Sequence, residues 1–572
     1  MKNLYLILLL LSCNICTAQT NIHTTKTLTT EILKGDYTSA AKEIAIPSEI
    51  AKLLVDEINT DSLRNYLEVL ETFETRNTGS DTLSTTRGIG AARTWIYDKL
   101  EAFNIQNGNS SVVDYLAFDQ NICSMGQHKN VLLVHPGIVS TEGVIIIEAH
   151  MDSRCEDGCD VDCFAAGIED NGSGVALVME LARVMTKKFY NKTLVFMLTT
   201  GEEQGLQGAA AMAEFCTTED VNIKAVLNND VIGGILCGET ASPPGCPGPG
   251  HVDSTQVRLF SNGSTLSPHK GMARFSKLQY EEELAPIMET PMLISIMSAE
   301  DRTGRGGDHI PFRQRNFTAV RYTSANENGD AGITDDYVDH QHSTRDVLGL
   351  DTDNDGVLDS LFVDVNYLKR NACINGITAG VVAINPEAPE IALEQIGDFV
   401  RIQITSDDPF EHYKIGVRGQ GNDFDSLYTI MDTKELIVPA PDANSFFIVS
   451  ACVVNQVGAE SCFSEEQFVL ISATEELQIE RQQKVHLMQN RPNPFDEATT
   501  IGWHVDGSID YDEAEIIITD QLGRILNRKE IELNQGFNEW VFRHGWGTEG
   551  IYFYSLFIDG SLIETKSMIF AY

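Results

Sequence analysis

The chain is predicted to fold as a three-layer α/β/α unit with a mixed sheet, followed by two all-β sandwiches. Three observations carry this. Between residues 112 and 231, continuous apolar strand-like runs alternate with helical patterns, as expected for a sheet buried on both faces. At 385–389 (NPEAP) Pro and Glu mark a break, and short strands of alternating polarity follow. A second break, rich in Gln and Glu at 475–484, precedes another set of such strands.

Taken in order, the first residues MKNLYLILLLLSCNICTAQ combine Lys2, a short apolar core and a small residue at Ala18. That pattern reads as a secretory signal over 1–18, cleaved before Gln19 and too short to span a membrane. The rival reading, Cys13 as a lipidated cysteine, fits less well because Leu11 stands two residues before it. No other apolar run approaches membrane length. Residues 19–48 are expected to be an N-terminal segment or short propeptide. From 50 to 103 the apolar residues fall at helix spacing (Leu53, Leu54, Ile58, then Leu63, Tyr66, Leu67, Leu70), interrupted by the turn-rich RNTGSDTLSTTRG. Strands are expected at VVDYLAF, NVLLVH, VIIIEAH, TLVFMLTT and AVLNNDV, with helices at 174–185 and near 208–215 and a last helix over 365–382. The α/β unit thus covers 49–384, the first β-sandwich 385–474, a linker 475–485 and the second sandwich 486–572.

Charge and cysteines narrow the setting. With 83 acidic against 41 basic residues the net charge is −42, which repels phosphate backbones and excludes nucleic acid and anionic membrane as natural partners. The ordinary apolar fraction of 42% does not suggest disorder. Ten cysteines follow the signal in an oxidising setting, so disulfides are the default. Loop spacing suggests Cys237 with Cys246 and Cys452 with Cys462. The remaining six, Cys123, Cys155, Cys159, Cys163, Cys216 and Cys373, cannot be paired from sequence.

The chemistry gathers around 144–185. The strand VIIIEAH ends in His150-x-Asp152, whose period of two points both side chains one way. Such an imidazole can bind zinc while a nearby carboxylate orients it. Asp170 follows in a loop before a helix, where one carboxylate could bridge two ions. TLVFMLTT ends in Gly201-Glu202-Glu203, which suits one metal ligand beside one general base. Asp230 closes AVLNND, and His342 lies in DHQHSTRD. Each motif alone has an ordinary structural reading, such as a surface pair, a charged helix start or a turn. Their shared placement at strand ends, where α/β folds bind ligands, favours a site.

This set resembles the co-catalytic zinc aminopeptidases of the bacterial leucyl aminopeptidase type, whose relatives include glutaminyl cyclases and glutamate carboxypeptidases. The resemblance spans about 49–380, with its blocks in family order. It implies that His150, Asp170 and Asp230 bind one zinc and Asp170, Glu203 and His342 a second, Asp170 bridging. It further implies Glu202 as general base, Asp152 as partner of His150, and peptides as substrates. Asp308-His309, in GRGGDHIPF, matches the family's Ser-Asp-His block with Gly in place of Ser. His340 could compete with His342; the His-Ser-Thr-x-Asp match selects His342. Cys155, Cys159 and Cys163, four apart in the loop after Asp152, are read as disulfide cysteines that stiffen the site.

Three further readings complete the sequence. DTDNDGVLD offers Asp351, Asp353, Asp355 and Asp359 as ligands of a structural calcium. The end of the first sandwich, FFIVSACVVNQVGAESCFSEE, resembles fibronectin type III domains. The last unit, with its QNRPNPF entry and GIYFYSLF strand, resembles the C-terminal sorting domain of Bacteroidetes type IX secretion cargo. That implies the type IX secretion machinery as partner and a secreted or surface location. The alternatives in view are a cyclase or carboxypeptidase on the same scaffold and a non-catalytic adhesin. Retention of every ligand and the base weighs against the adhesin.

Overall fold

The computed structural model describes residues 19–571 except 237–250, 264–265, 303–304, 327–339, 354, 356, 397–398, 408–409, 411, 420, 440–445, 471–483, 508–510, 512, 521–523, 546–548 and 559–560. The signal segment and the Cys237–Cys246 pairing therefore lie outside the described residues.

The α/β unit is built on one nine-stranded sheet. In chain order its strands are β1 (Thr20–Thr24), β2 (Val112–Ile122), β3 (Met125–His135), β4 (Val144–His150), β5 (Thr193–Thr199), β6 (Ile223–Asn229), β7 (Gln256–Ser261), β8 (Leu293–Ile296) and β9 (Ala319–Ser324). They lie in the order β1-β2-β3-β5-β4-β6-β9-β7-β8. Strands β5, β4, β6 and β9 run parallel at the centre, while β3 on one side and β7 on the other join antiparallel. The sheet is mixed, as the alternation of runs suggested. Strands β4 and β5 are buried at every position, and consecutive residues serve opposite faces. Ile145 and Ile147 pack with one helical layer, Val144 and Ile146 with the other.

The first layer holds α2 (Pro47–Glu57), α3 (Thr60–Glu71), α4 (Gly88–Gln106), α5 (Ser173–Met185), α7 (Pro268–Gln279) and α9 (Val365–Ile384); the second holds α1 (Thr27–Lys34), α6 (Gln207–Thr218) and α8 (His309–Arg313). Helix α3 starts where the Asn59 side chain accepts from the amides of Asp61 and Ser62, and α9 where Asp364 accepts from Tyr367. Helix α5 is the central one, with twelve buried residues.

The N-terminal segment 19–48 packs on this unit. Strand β1 pairs antiparallel with β2, and α1 contributes Ile32 and Leu33 to the second core. Tyr37 donates to the Gly137 carbonyl at 2.9 Å. An apolar contribution of this kind is invisible in a short stretch with little periodicity.

Beyond α9 come two sandwiches, each of a three- and a four-stranded sheet. The first closes around Val400, Ile402, Tyr413, Ile415 and Val449, the second around Ile501, Trp503, Ile516, Tyr554 and Met568. The first is fastened to the α/β unit by buried charge: Arg274 of α7 lies 2.9 Å from Glu466, which also pairs with Arg418 at 2.5 Å.

The expected Cys452–Cys462 bridge is not formed; both are free thiols. Ala451 and Val453 face the sandwich core, which turns Cys452 to the opposite face, where burial pushes its thiol well up. The Cys462 sulfur instead accepts from Asn385 Nδ2 at 3.6 Å. Among the described residues the disulfides are Cys123–Cys159 and Cys155–Cys163, which place three of the loop cysteines in bridges and tie the loop to the β2–β3 turn.

Candidate metal centre

Five of the sequence-selected residues converge at the C-terminal ends of the parallel strands. His150 ends β4 with 1% exposure. Its Nδ1 lies 3.1 Å from the Asp152 main-chain carbonyl, which can only accept, so Nδ1 carries a proton and Nε2 is the nitrogen turned to the cluster. Nε2 faces Asp170 Oδ1 at 3.2 Å and Asp230 Oδ1 at 3.3 Å. His342 Nε2 faces the other Asp170 oxygen at 3.0 Å and Glu203 Oε2 at 3.2 Å. Asp170 thus turns one oxygen to each histidine. Two three-residue donor sets result, His150–Asp170–Asp230 and Asp170–Glu203–His342, each with ligand atoms within 4.8 Å of one another.

Asp152 meets His150 twice: its carboxylate pairs with Nδ1 at 3.8 Å and its main-chain carbonyl lies 3.1 Å from the same nitrogen. The carboxylate also accepts from the amides of Glu202 at 3.3 Å and Glu203 at 3.2 Å, which holds the Glu-Glu turn.

The backbone around Asp170 is held from several sides. An irregular turn, Ile168–Gly172, precedes α5, with non-helical backbone at Asp170 and Asn171 and a cis peptide between them. Asp346 accepts from the amides of Glu169 at 2.8 Å and Asp170 at 3.0 Å. Arg76, fully buried, donates from Nε to the Met151 carbonyl at 2.8 Å and from its terminal nitrogens to Ala166 and Gly167. Burial pulls its guanidinium down to about 10. A Cβ on Gly174 would stand 2.4 Å from Asn171 Oδ1 and the Asn229 carbonyl, so only glycine lets α5 begin this close to β6.

Charge is balanced within the cluster. Burial alone would raise the Asp170 carboxyl, but hydrogen bonds from His150 and His342 hold it well below the usual range. Burial would likewise lower His150, yet the charges of Glu202 and Asp230 raise it well above its ordinary value. For Glu202 burial prevails and the carboxyl is raised well above normal. Arg321 lies 2.9 Å from Asp230 Oδ2, and Arg154 Nε donates to Glu203 Oε2 at 2.7 Å. Asp308 accepts from the Thr199 hydroxyl and is pushed up to about 7 by burial; the adjacent His309 contacts the Glu300 carbonyl at 3.2 Å.

His340 does not compete with His342. Its ring packs edge-on against Phe362 at 4.6 Å and its Nδ1 meets the Arg345 carbonyl. In the acidic loop, Asp351, Asp353 and Asp355 come together, while Asp359 meets the main chain of the same loop. Its carboxylate accepts from the Thr352 amide at 2.7 Å and the Thr352 hydroxyl, because the Gly349–Leu350 and Ser360–Leu361 hairpin fixes its position. Arg76, Arg154, Asp301 and Arg321 went unnoticed in the sequence. They come from distant segments and carry no local spacing signal; Asp346 stood inside the His-Ser-Thr-x-Asp block without a role.

The donor set of two imidazoles and three carboxylates suits zinc. The buried Glu203 Oε1, which has no hydrogen-bond partner, fits a cation as its missing neighbour.

The family model of peptidase family M28 matches residues 130–238, a span that holds every selected residue of the centre except His342. A probable zinc metalloprotease of Leptosphaeria maculans is 33% identical over 358 residues, covering 60% of this chain and 78% of that protein. The chain belongs to peptidase family M28. A second relative, a probable zinc metalloprotease of Pyricularia oryzae, is 32% identical over 60% of this chain and 68% of that protein. Among solved structures, the LapA aminopeptidase of Legionella pneumophila is 16% identical with a TM-score of 0.43, over 61% of this chain and 79% of that one. A Zn-dependent exopeptidase of Parabacteroides distasonis is 14% identical with a TM-score of 0.38, over 58% and 99%.

Proposed function

We propose that this M28 chain is an exported zinc metallopeptidase that removes N-terminal residues from peptides, using two zinc ions held by the two donor sets. The observation that carries the reading is Asp170, whose two oxygens each face a different histidine at 3.2 and 3.0 Å. His150, Asp170 and Asp230 would hold one ion, and Asp170, Glu203 and His342 the other. When bound, such ions polarise a peptide carbonyl and acidify the attacking water. Glu202 sits beside the ligand Glu203 on a turn held by Asp152, and burial raises its carboxyl, which suits a group that takes up a proton. It takes the proton of the attacking water and returns it to the leaving amine. Asp346 and Arg76 keep the Asp170 turn in register while this happens.

Glu202→Gln is expected to lower kcat by about 10²–10⁴-fold while metal content and KM stay close to the parent values. Undiminished turnover by that variant refutes the assignment. Zinc analysis should return two equivalents per chain. A panel of aminoacyl fluorogenic substrates, N-terminal glutaminyl peptides and acylated peptides with free carboxyl ends separates aminopeptidase from cyclase and carboxypeptidase activity.

Export is supported by the two disulfides in the loop beside the site. In this reading the second sandwich, entered through Asn490 and Pro492, addresses the type IX secretion machinery. Asp351, Asp353 and Asp355 hold a structural calcium, without Asp359.

A further inference from the structure

One segment of the α/β unit, between β8 and α8, is gripped by both sandwiches. From the first, Asn422 Nδ2 donates to the Ile296 carbonyl at 3.1 Å and to Ser298 Oγ at 3.2 Å. From the second, Arg543, on the strand Gly536–Arg543, donates to the carbonyls of Asp301 at 3.1 Å and Arg302 at 3.4 Å. Residues 293–299, 421–423 and 489–498 line a cavity of about 880 Å³ where the three units meet. The segment is also held from within the α/β unit, where the Met297 amide donates to the Leu259 carbonyl at 3.0 Å and Arg313 pairs with Glu300 at 2.6 Å.

The same segment reaches the metal centre. The Asp301 carboxylate, 2% exposed, receives Arg321 NH1 at 2.7 Å on both oxygens. Arg321, fully buried, presents its other terminal nitrogen to Asp230 Oδ2 at 2.9 Å. Asp230 Oδ1 is then left to face His150. Arg321 is a planar fork and cannot follow a displaced Asp301 without withdrawing from Asp230. The connection from the last sandwich to a ligand atom thus runs through four groups in contact: guanidinium, main chain and carboxylate, guanidinium, carboxylate.

We propose that the C-terminal sandwich positions the metal centre: Arg543 holds the 301–302 main chain so that Asp301 fixes Arg321 and, through it, Asp230. Arg543 is a positioning residue, remote from substrate. The consequence is selective, because only the His150–Asp170–Asp230 set contains Asp230. The second set, Asp170–Glu203–His342, is held by Arg154 and Asp346 from other segments. The inference rests on Asp230 being a metal ligand.

The test uses the full-length chain, stripped of metal and titrated with cobalt(II) against a competing chelator, with the visible absorption of each equivalent recorded. Removing groups that orient ligands typically costs about 10–100-fold in metal affinity. Asp301→Asn is expected within that range for one equivalent, and Arg543→Ala at about tenfold for the same equivalent, with the other unchanged. Arg543→Lys, which keeps one donor, should recover part of the loss. Arg528→Ala, an exposed pair with Glu515 on the same sandwich, should bind cobalt as the parent does. Unchanged affinity of both equivalents in Arg543→Ala overturns the proposal. So does equal weakening of both in step with a lower Tm, which would make Arg543 merely structural. Asp230→Asn separates the two levels. If it keeps both equivalents, the ligand reading itself falls; if it loses one while Arg543→Ala loses none, only the positioning role falls.

Discussion

Asp346 offers the sharpest test of how the centre is held. Its carboxylate, 2% exposed, accepts the amides of Glu169 at 2.8 Å and Asp170 at 3.0 Å. Asp346→Ala leaves both amides buried without acceptors. Each such group costs about 1–3 kcal/mol, so the metal-free protein should lose about 2–6 kcal/mol, less if water enters. Asp346→Asn keeps one carbonyl oxygen and should lose about 1–3 kcal/mol by the same count. Urea unfolding in the presence of a chelator measures both, with the slope compared to confirm a common unfolded state. The loss should also appear as weaker binding of both metal equivalents, since Asp170 belongs to both donor sets. A cost below about 1 kcal/mol for the alanine variant, with metal binding unchanged, would refute the idea that Asp346 sets the Asp170 turn.

Other expectations concern pH, redox state and calcium. Burial pulls His135 and His269 down to about 4. Below the ordinary histidine value of 6.5 the unfolded chain takes up protons that the folded chain refuses, so stability falls as pH drops from 6.5 towards 4. His135→Asn should remove about one proton, or about 1.4 kcal/mol per pH unit, from that slope; an unaltered profile of Tm against pH would count against it. Alkylation of unfolded, unreduced protein should label Cys216, Cys373, Cys452 and Cys462 and spare Cys123, Cys155, Cys159 and Cys163, read by peptide mass. A labelled Cys155 or an unlabelled Cys452 contradicts the pairing. Adding calcium to stripped protein should raise Tm, and Asp353→Asn should abolish the rise while Asp359→Asn keeps most of it. No shift in the parent removes the calcium proposal.

The second sandwich also changes how the chain is divided. As a sequence it reads as a separate module with its own strands and entry motif. In the fold, Arg543 reaches the main chain of the α/β unit, and Met488 and Phe537 pack with Ile448 of the first sandwich and Leu266 of the α/β unit. Independence of sequence pattern is therefore not independence of structure here.

By itself, the sequence determined the layers and the principal donors. Runs such as VIIIEAH and TLVFMLT can only be strands buried on two faces, and such strands end where α/β folds place their sites. His150, Asp170, Glu203, Asp230 and His342 were legible because each ends or follows such a strand, or stands in a block of known order. Tertiary structure decided what holds those donors in place. Arg76, Asp346, Asp301, Arg321 and Arg543 act through long-range hydrogen bonds and ion pairs, which leave no periodicity along the chain. It also decided that residues 19–48 complete the sheet, that Asp152 works through its carbonyl as well as its carboxylate, and that Cys452 and Cys462 stay apart. Those outcomes depend on which face a side chain meets after packing, a property of the assembled layers and not of neighbouring residues.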